Sequence, residues 1–261
     1  MTSLAEIVSR VDATTPVTVP ESWTQGRTAY GGLTAALSVV AARQAVGDDA
    51  PPLRSAHFAF TAPAVDSVSI TGTVLRQGRS VTSVSVQATS QGQVAAQSTV
   101  VLARPRPSGV VHDLLLAPDV PDAESCPPFA DADAPRPAFA ANFDIRRAAG
   151  DGPLHPGGPP RYVAWVRHRD AVGVDPLIAL IALGDALPPA ATAVFESWAP
   201  VSTITWDVHM CRDDLADATG WFLIETDGDH AEGGYSHQTM RVFDAERRVV
   251  MVATQTVAVF A

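Results

Sequence analysis

Gly92-Gln-Val-Ala-Ala-Gln-Ser-Thr-Val-Val-Leu-Ala103 and Arg247-Arg-Val-Val-Met-Val-Ala-Thr-Gln-Thr-Val-Ala258 are two versions of one element. Each opens on a turn and runs on as a long apolar strand, with Thr99 aligned to Thr254. A long apolar helix lies upstream of each. The first opens at Gly31-Gly32-Leu33 and the second at Asp175-Pro176-Leu177. One supersecondary unit therefore occurs twice, and a repeat on this scale decides the architecture. The copies differ in polarity. Gln255 stands where the first copy has Val100, and Asp185 falls roughly where it has Ala41. Polar groups acquired at buried positions in one copy only mark a candidate site.

Outward from these strands, the pattern is helix first and then antiparallel strands. The helix from Leu33 to Val46 is apolar on nearly every face, so it is expected to be buried. Strand-like runs follow at Arg54–Thr61, Ser67–Arg76 and Ser80–Thr89, with turns at Pro63 and Gln77-Gly78-Arg79. The second unit offers Asn142–Arg147, Tyr162–Arg167, a helix from Pro176 to Leu187, and strands at Val201–Met210, Trp221–Thr226, Tyr235–Phe243 and Val249–Phe260. Between them, residues 104–161 hold twelve of the 21 prolines, which points to a surface linker. A curved antiparallel sheet wrapped around one long helix is the hot-dog arrangement. The expected class is therefore α+β, a double hot dog with two curved sheets each around its own helix. The expected units are 1–103, a Pro-rich linker 104–137, and 138–261 carrying the site.

Composition excludes several classes. A content of 46% hydrophobic and 18% charged residues is globular. A net charge of −10 argues against nucleic acid, which needs a concentrated basic surface. No apolar run approaches the roughly 20 residues of a membrane span. The N-terminus lacks the basic and apolar regions of a signal peptide, and Ser3-x-x-Glu6 reads as a capping box. Cys126 and Cys211 form no CxxC pair, so free thiols in a reducing cytoplasm are expected. There is no Gly-x-Ser-x-Gly elbow, no phosphate-binding Gly loop and no His-Glu-x-x-His, and no metal or cofactor is implied.

Three residues could carry chemistry. Asp185 is the one polar side chain between Pro176 and Leu187, near the helix C-terminus where the dipole repels a carboxylate. Burial and dipole would both raise its pKa, which suits a general base; the alternative is a carboxylate reaching solvent at the helix end. Gln255 lies mid-strand in an apolar run and needs partners on both sides of its amide, or else bonds an adjacent backbone. Thr203 falls, by the period of two, on one face with Thr205, Asp207 and His209, or is plain β propensity. His57 lies on a mostly apolar strand, where a core role is usual. Arg54, Arg76 and Arg79 could meet phosphates, though most surface arginines are solvated.

Several stretches resemble the type II acyl-CoA thioesterases, the double hot-dog family. Ala29-Tyr-Gly-Gly-Leu33 resembles the family's aromatic-Gly-Gly helix start, Ser55-Ala-His-Phe-Ala-Phe60 its Ser-x-His-x-x-Phe strand, and Leu75-Arg-Gln-Gly-Arg-Ser80 its Leu-Arg-Asp-Gly-x-Ser hairpin. The resemblance implies an Asp, a Thr and a Gln that hydrogen-bond the attacking water, matching Asp185, Thr203 and Gln255. Thr205 stands where the family has an aspartate. The resemblance also places Tyr30, Gly31, Gly32 and His57 at the substrate, and Arg79 is a candidate for the CoA phosphates. The expected function is hydrolysis of an acyl-CoA thioester, with backbone N–H groups at Gly31-Gly32-Leu33 as oxyanion donors. The alternatives are a non-catalytic acyl-CoA or acyl-carrier binding protein, or a hydratase or dehydratase on the same fold. Expected partners are the acyl-CoA and no nucleic acid; assembly into a homo-oligomer is left open.

Overall fold

The structure, a computed structural model, describes residues 2–130, 134–215 and 217–261. Residues 131–133, inside the expected linker, lie outside the described residues. The capping box forms. Ser3 Oγ accepts the Glu6 N–H, Glu6 takes the Ser3 N–H in return, and helix α1 spans Leu4–Val8. Strand β1 (Val17–Thr18) follows, then a tight hairpin of β2 (Thr24–Gln25) and β3 (Thr28–Ala29), then helix α2 (Gly31–Val46). Strands β4 (Leu53–Phe60), β5 (Ser67–Gln77), β6 (Val81–Ser90) and β7 (Gln93–Ala103) complete the first half. The second half has β8 (Phe143–Ala149), β9 (Arg161–His168), helix α3 (Pro176–Gly184), then β10 (Val201–Met210), β11 (Phe222–Glu232), β12 (Tyr235–Phe243) and β13 (Val249–Val259).

One expectation changes. The halves do not each wrap a separate sheet. A single antiparallel sheet of eleven strands runs through both, in the order β1-β5-β6-β7-β4-β10-β13-β12-β11-β9-β8. The join is β4 against β10, with His57 opposite Asp207. On their outer sides these two pair with Thr99 and Thr254, the residues aligned by the repeat. An approximate two-fold axis therefore passes between His57 and Asp207. Pairing satisfies the backbone groups that two separate sheets would leave bare at their edges.

Both helices cover the same face of this sheet. They lie antiparallel, with Gly32 of α2 against Ala182 of α3 at one end and an Arg43–Asp175 ion pair of 2.6 Å at the other. A Cβ on Gly32 would stand 2.5 Å from the Ala182 carbonyl oxygen, so glycine sets how closely the helices approach. The helix α2 is buried on nearly all sides from Gly32 to Ala42, as its composition predicts, and its last turn is more exposed. Helix α3 stops three residues short of the expected Leu187. Pro188 and Pro189 disfavour helical backbone just before them, and the chain leaves the helix at Asp185. Residues Ala190–Val194 then form a 3-10 helix.

Candidate active site

Asp185 sits where three elements meet. It caps the C-terminus of α3 with φ −97° and ψ 11°. Its carboxylate reaches the N-terminus of α2, where the Gly32 N–H donates to it. Gly31 makes room, since a Cβ there would stand 2.7 Å from Asp185 Oδ2. The dipole argument from sequence is thus half right. The C-terminus of α3 disfavours the charge, and the N-terminus of α2 favours it. Desolvation is the larger effect: burial pushes the carboxyl from its ordinary 3.8 to about 7, against the hydrogen bonds from Gln255 and Gly32.

Gln255 does not bond an adjacent backbone. Its Nε2 donates to Asp185 Oδ1 at 2.7 Å. Its Oε1 accepts from Gln238 Nε2 at 2.6 Å, and Gln238 Oε1 accepts the Ala190 N–H at 2.7 Å. Gln238 and Gln255 are cross-strand partners on β12 and β13, both buried on the helix-facing side. The corresponding pair in the first half is Val84 and Val100. Sequence reading missed Gln238. The signal was present: counting back by two from Val242 and Met240 puts Gln238 on the inner face.

Thr203 reaches the site by a route the period of two does not give. A bulge lies between Thr203 and Thr205, so Thr205 pairs with Thr256 while Thr203 pairs with the buried Val257. Cross-strand partners share a face. Thr203 is thus turned to the helix side, whereas Thr205, Asp207 and His209 stay on the outer side. Thr203 and Asp185 line a cavity of about 330 Å³ together with Gly31, Phe60 and, from the β2–β3 hairpin, Gln25 and Thr28. Gln255 stands behind Asp185 instead of lining this cavity.

The other expected contacts fall elsewhere. Tyr30 is fully buried, its hydroxyl donating to the Ala182 carbonyl at 2.9 Å and its ring stacked on Phe139 at 4.0 Å. It braces the two helices and does not open on the cavity. The Gly32 N–H is taken by Asp185, so it is not a vacant oxyanion donor. His57 is neither a core residue nor near Asp185. It lies on the outer face with its side chain 46% exposed, and Nδ1 is 2.7 Å from Asp207 Oδ1. Asp207 thus pairs across the seam. Arg79 lines a separate cavity of about 190 Å³ with Val46 and Arg104. Val46 ends α2 and Gly31 begins it, which sets Arg79 about 22 Å away at 1.5 Å per residue. No cluster of His, Cys, Asp and Glu able to hold a metal occurs among the described residues.

The class defined by this architecture is the hot-dog fold, and a known structure agrees. A hot-dog-fold protein of unknown function from Alicyclobacillus acidocaldarius superposes with a TM-score of 0.87 at 22% identity, over 100% of this chain and 99% of that one. The acyl-CoA thioesterase II TesB2 from Mycobacterium marinum superposes with a TM-score of 0.77 at 20% identity, over 97% of each chain. No curated protein sequence matches the chain. Residues 19–103 match the family model of the acyl-CoA thioesterase N-terminal domain, and residues 123–259 that of the C-terminal domain. The chain belongs to the acyl-CoA thioesterase family.

Proposed function

We propose that the protein hydrolyses an acyl-CoA thioester to a free carboxylic acid and CoA, with Asp185 as the general base. A single observation carries this reading. A carboxylate lines the cavity between the halves, held by the Gln255 amide and the Gly32 N–H, with a proton affinity near neutrality. A base is most effective when its pKa is close to the working pH. Water attacks the thioester carbon and Asp185 takes its proton. The tetrahedral intermediate then expels sulfur as the C–S bond breaks, and the proton returns to the leaving thiolate. Thr203, on the cavity wall, orients the water. Gln255 orients the carboxylate.

The same reading takes residues 1–103 and 138–261 as two hot-dog units joined by 104–137, with the reacting groups on the second. Cys126 and Cys211 carry free thiols, which fits a reducing cytoplasm. No described helix is long and apolar enough to cross a membrane. The test is release of free CoA from a panel of acyl-CoA thioesters differing in acyl length. Turnover by the wild type that is lost in Asp185→Asn supports hydrolysis. Tight binding with no CoA released by the wild type would leave a binding protein instead.

A further inference from the structure

We propose that Gln238 is a positioning residue for Asp185: it fixes which end of the Gln255 amide faces the carboxylate. An amide side chain can present either its oxygen or its nitrogen, and the choice follows from its neighbours. Here the choice starts from a group without ambiguity. The Ala190 backbone N–H can only donate, so Gln238 must turn Oε1 towards it, at 2.7 Å. Gln238 then offers Nε2 to the second amide, which must answer with Oε1, at 2.6 Å. Gln255 is left with Nε2 towards Asp185, at 2.7 Å. The direction of all three bonds is thus set by one backbone N–H five residues beyond the acid itself.

Without Gln238 this constraint ends. The Gln255 amide could rotate, placing Oε1 against Asp185 and replacing an attraction with a repulsion. The relay is fully buried, with Gln238 1% and Gln255 3% exposed, so water does not substitute readily for either partner. The first half of the chain places Val84 and Val100 at these positions and so needs no such polarity. The groups that face Asp185 do not compete for this role. The β4, β10 and α2 elements bring Phe60, Thr203, Gly31 and Gly32. The titratable neighbour is Tyr30, whose phenol is held far above neutrality by burial and by Asp185 and stays protonated.

The kinetic arm of the test rests on the hydrolase reading; the spectroscopic arm does not. In the wild-type protein, the side-chain amide resonances of Gln255 and Gln238 should both shift with pH at the midpoint of the Asp185 carboxyl signal. A Gln238 amide indifferent to that titration would overturn the relay. Gln238→Met keeps the volume and removes both bonds. With an acyl-CoA as substrate, it should move the acidic limb of kcat/KM upward by about one pH unit, because the carboxylate loses a fixed donor. It should also lower kcat about tenfold with KM unchanged. A lower melting temperature with an unmoved pH profile would show a merely structural amide. Failure of the wild type to release CoA would sink the hydrolase reading alone, and the amide titration would still decide the relay.

Discussion

Asp185→Asn should make the protein more stable relative to wild type as pH rises, while removing most of its activity. The buried carboxyl has its folded pKa raised from 3.8 to about 7. The unfolded chain therefore gives up this proton first. Wild-type stability from this group is complete below the unfolded value and is lost as pH rises towards the folded one. Between about pH 5 and about pH 8 the lost portion spans about 2 pH units, a ceiling of about 2.7 kcal/mol. Asp185 borders the cavity, so solvent screening reduces this to about half, about 1.3 kcal/mol. Asparagine does not titrate, and its own hydrogen-bond cost at Gly32 is the same at both pH values. It cancels in the comparison. For a chain of this length about 2 °C accompanies each kcal/mol, so the variant's Tm relative to wild type should rise by about 3 °C across the range. Thermal melts of both proteins at the two pH values measure this directly. A difference that stays flat, or moves the other way, would refute the claim that Asp185 is desolvated.

The remaining predictions concern turnover and binding. If Asp185 is the base, kcat/KM should climb with pH and level off above about 7, and a midpoint near the ordinary 3.8 would contradict it. Gln255→Ala and Thr203→Ala should each lower kcat roughly 10- to 1000-fold with little change in KM. A large KM effect alone would make them binding residues. Gly31→Ala should cost activity by roughly a hundredfold without unfolding the protein, since the new methyl must displace the Asp185 carboxylate. Titration with a non-hydrolysable acyl-CoA analogue should give one site per chain; two would show that the Val84–Val100 half has a site of its own.

Much of this was legible in the sequence because buried strands and helices announce themselves by apolar runs. The ends of β10 and β12 match the expected ones to the residue. Asp185 and Gln255 stood out because each interrupts such a run. Thr203 is a candidate from its strand and takes its role from the family resemblance, but periodicity places it on the wrong face. One bulged residue reverses every side chain beyond it, and nothing local in Ser202-Thr-Ile-Thr signals the bulge. The single sheet was hidden because strand patterns state that an edge exists, not what covers it. His57 and Arg79 fall away from Asp185 for a related reason. Motif order along the chain does not say which face or which helix end a residue occupies.

The seam between β4 and β10 carries a further meaning for how two units became one chain. Were the halves identical, the axis would bring a residue against its own copy, as His against His or Asp against Asp. Either pairing sets like against like when charged. The fused chain instead sets His57 against Asp207 at 2.7 Å. A symmetric homodimer cannot specify that choice, whereas a covalent tandem can, because its two sides are free to diverge. The same divergence permits one half to hold a buried acid with its amides and the other to keep valines. Asymmetry at the seam and asymmetry at the site are two results of one freedom: a single polypeptide has released its halves from having to be copies.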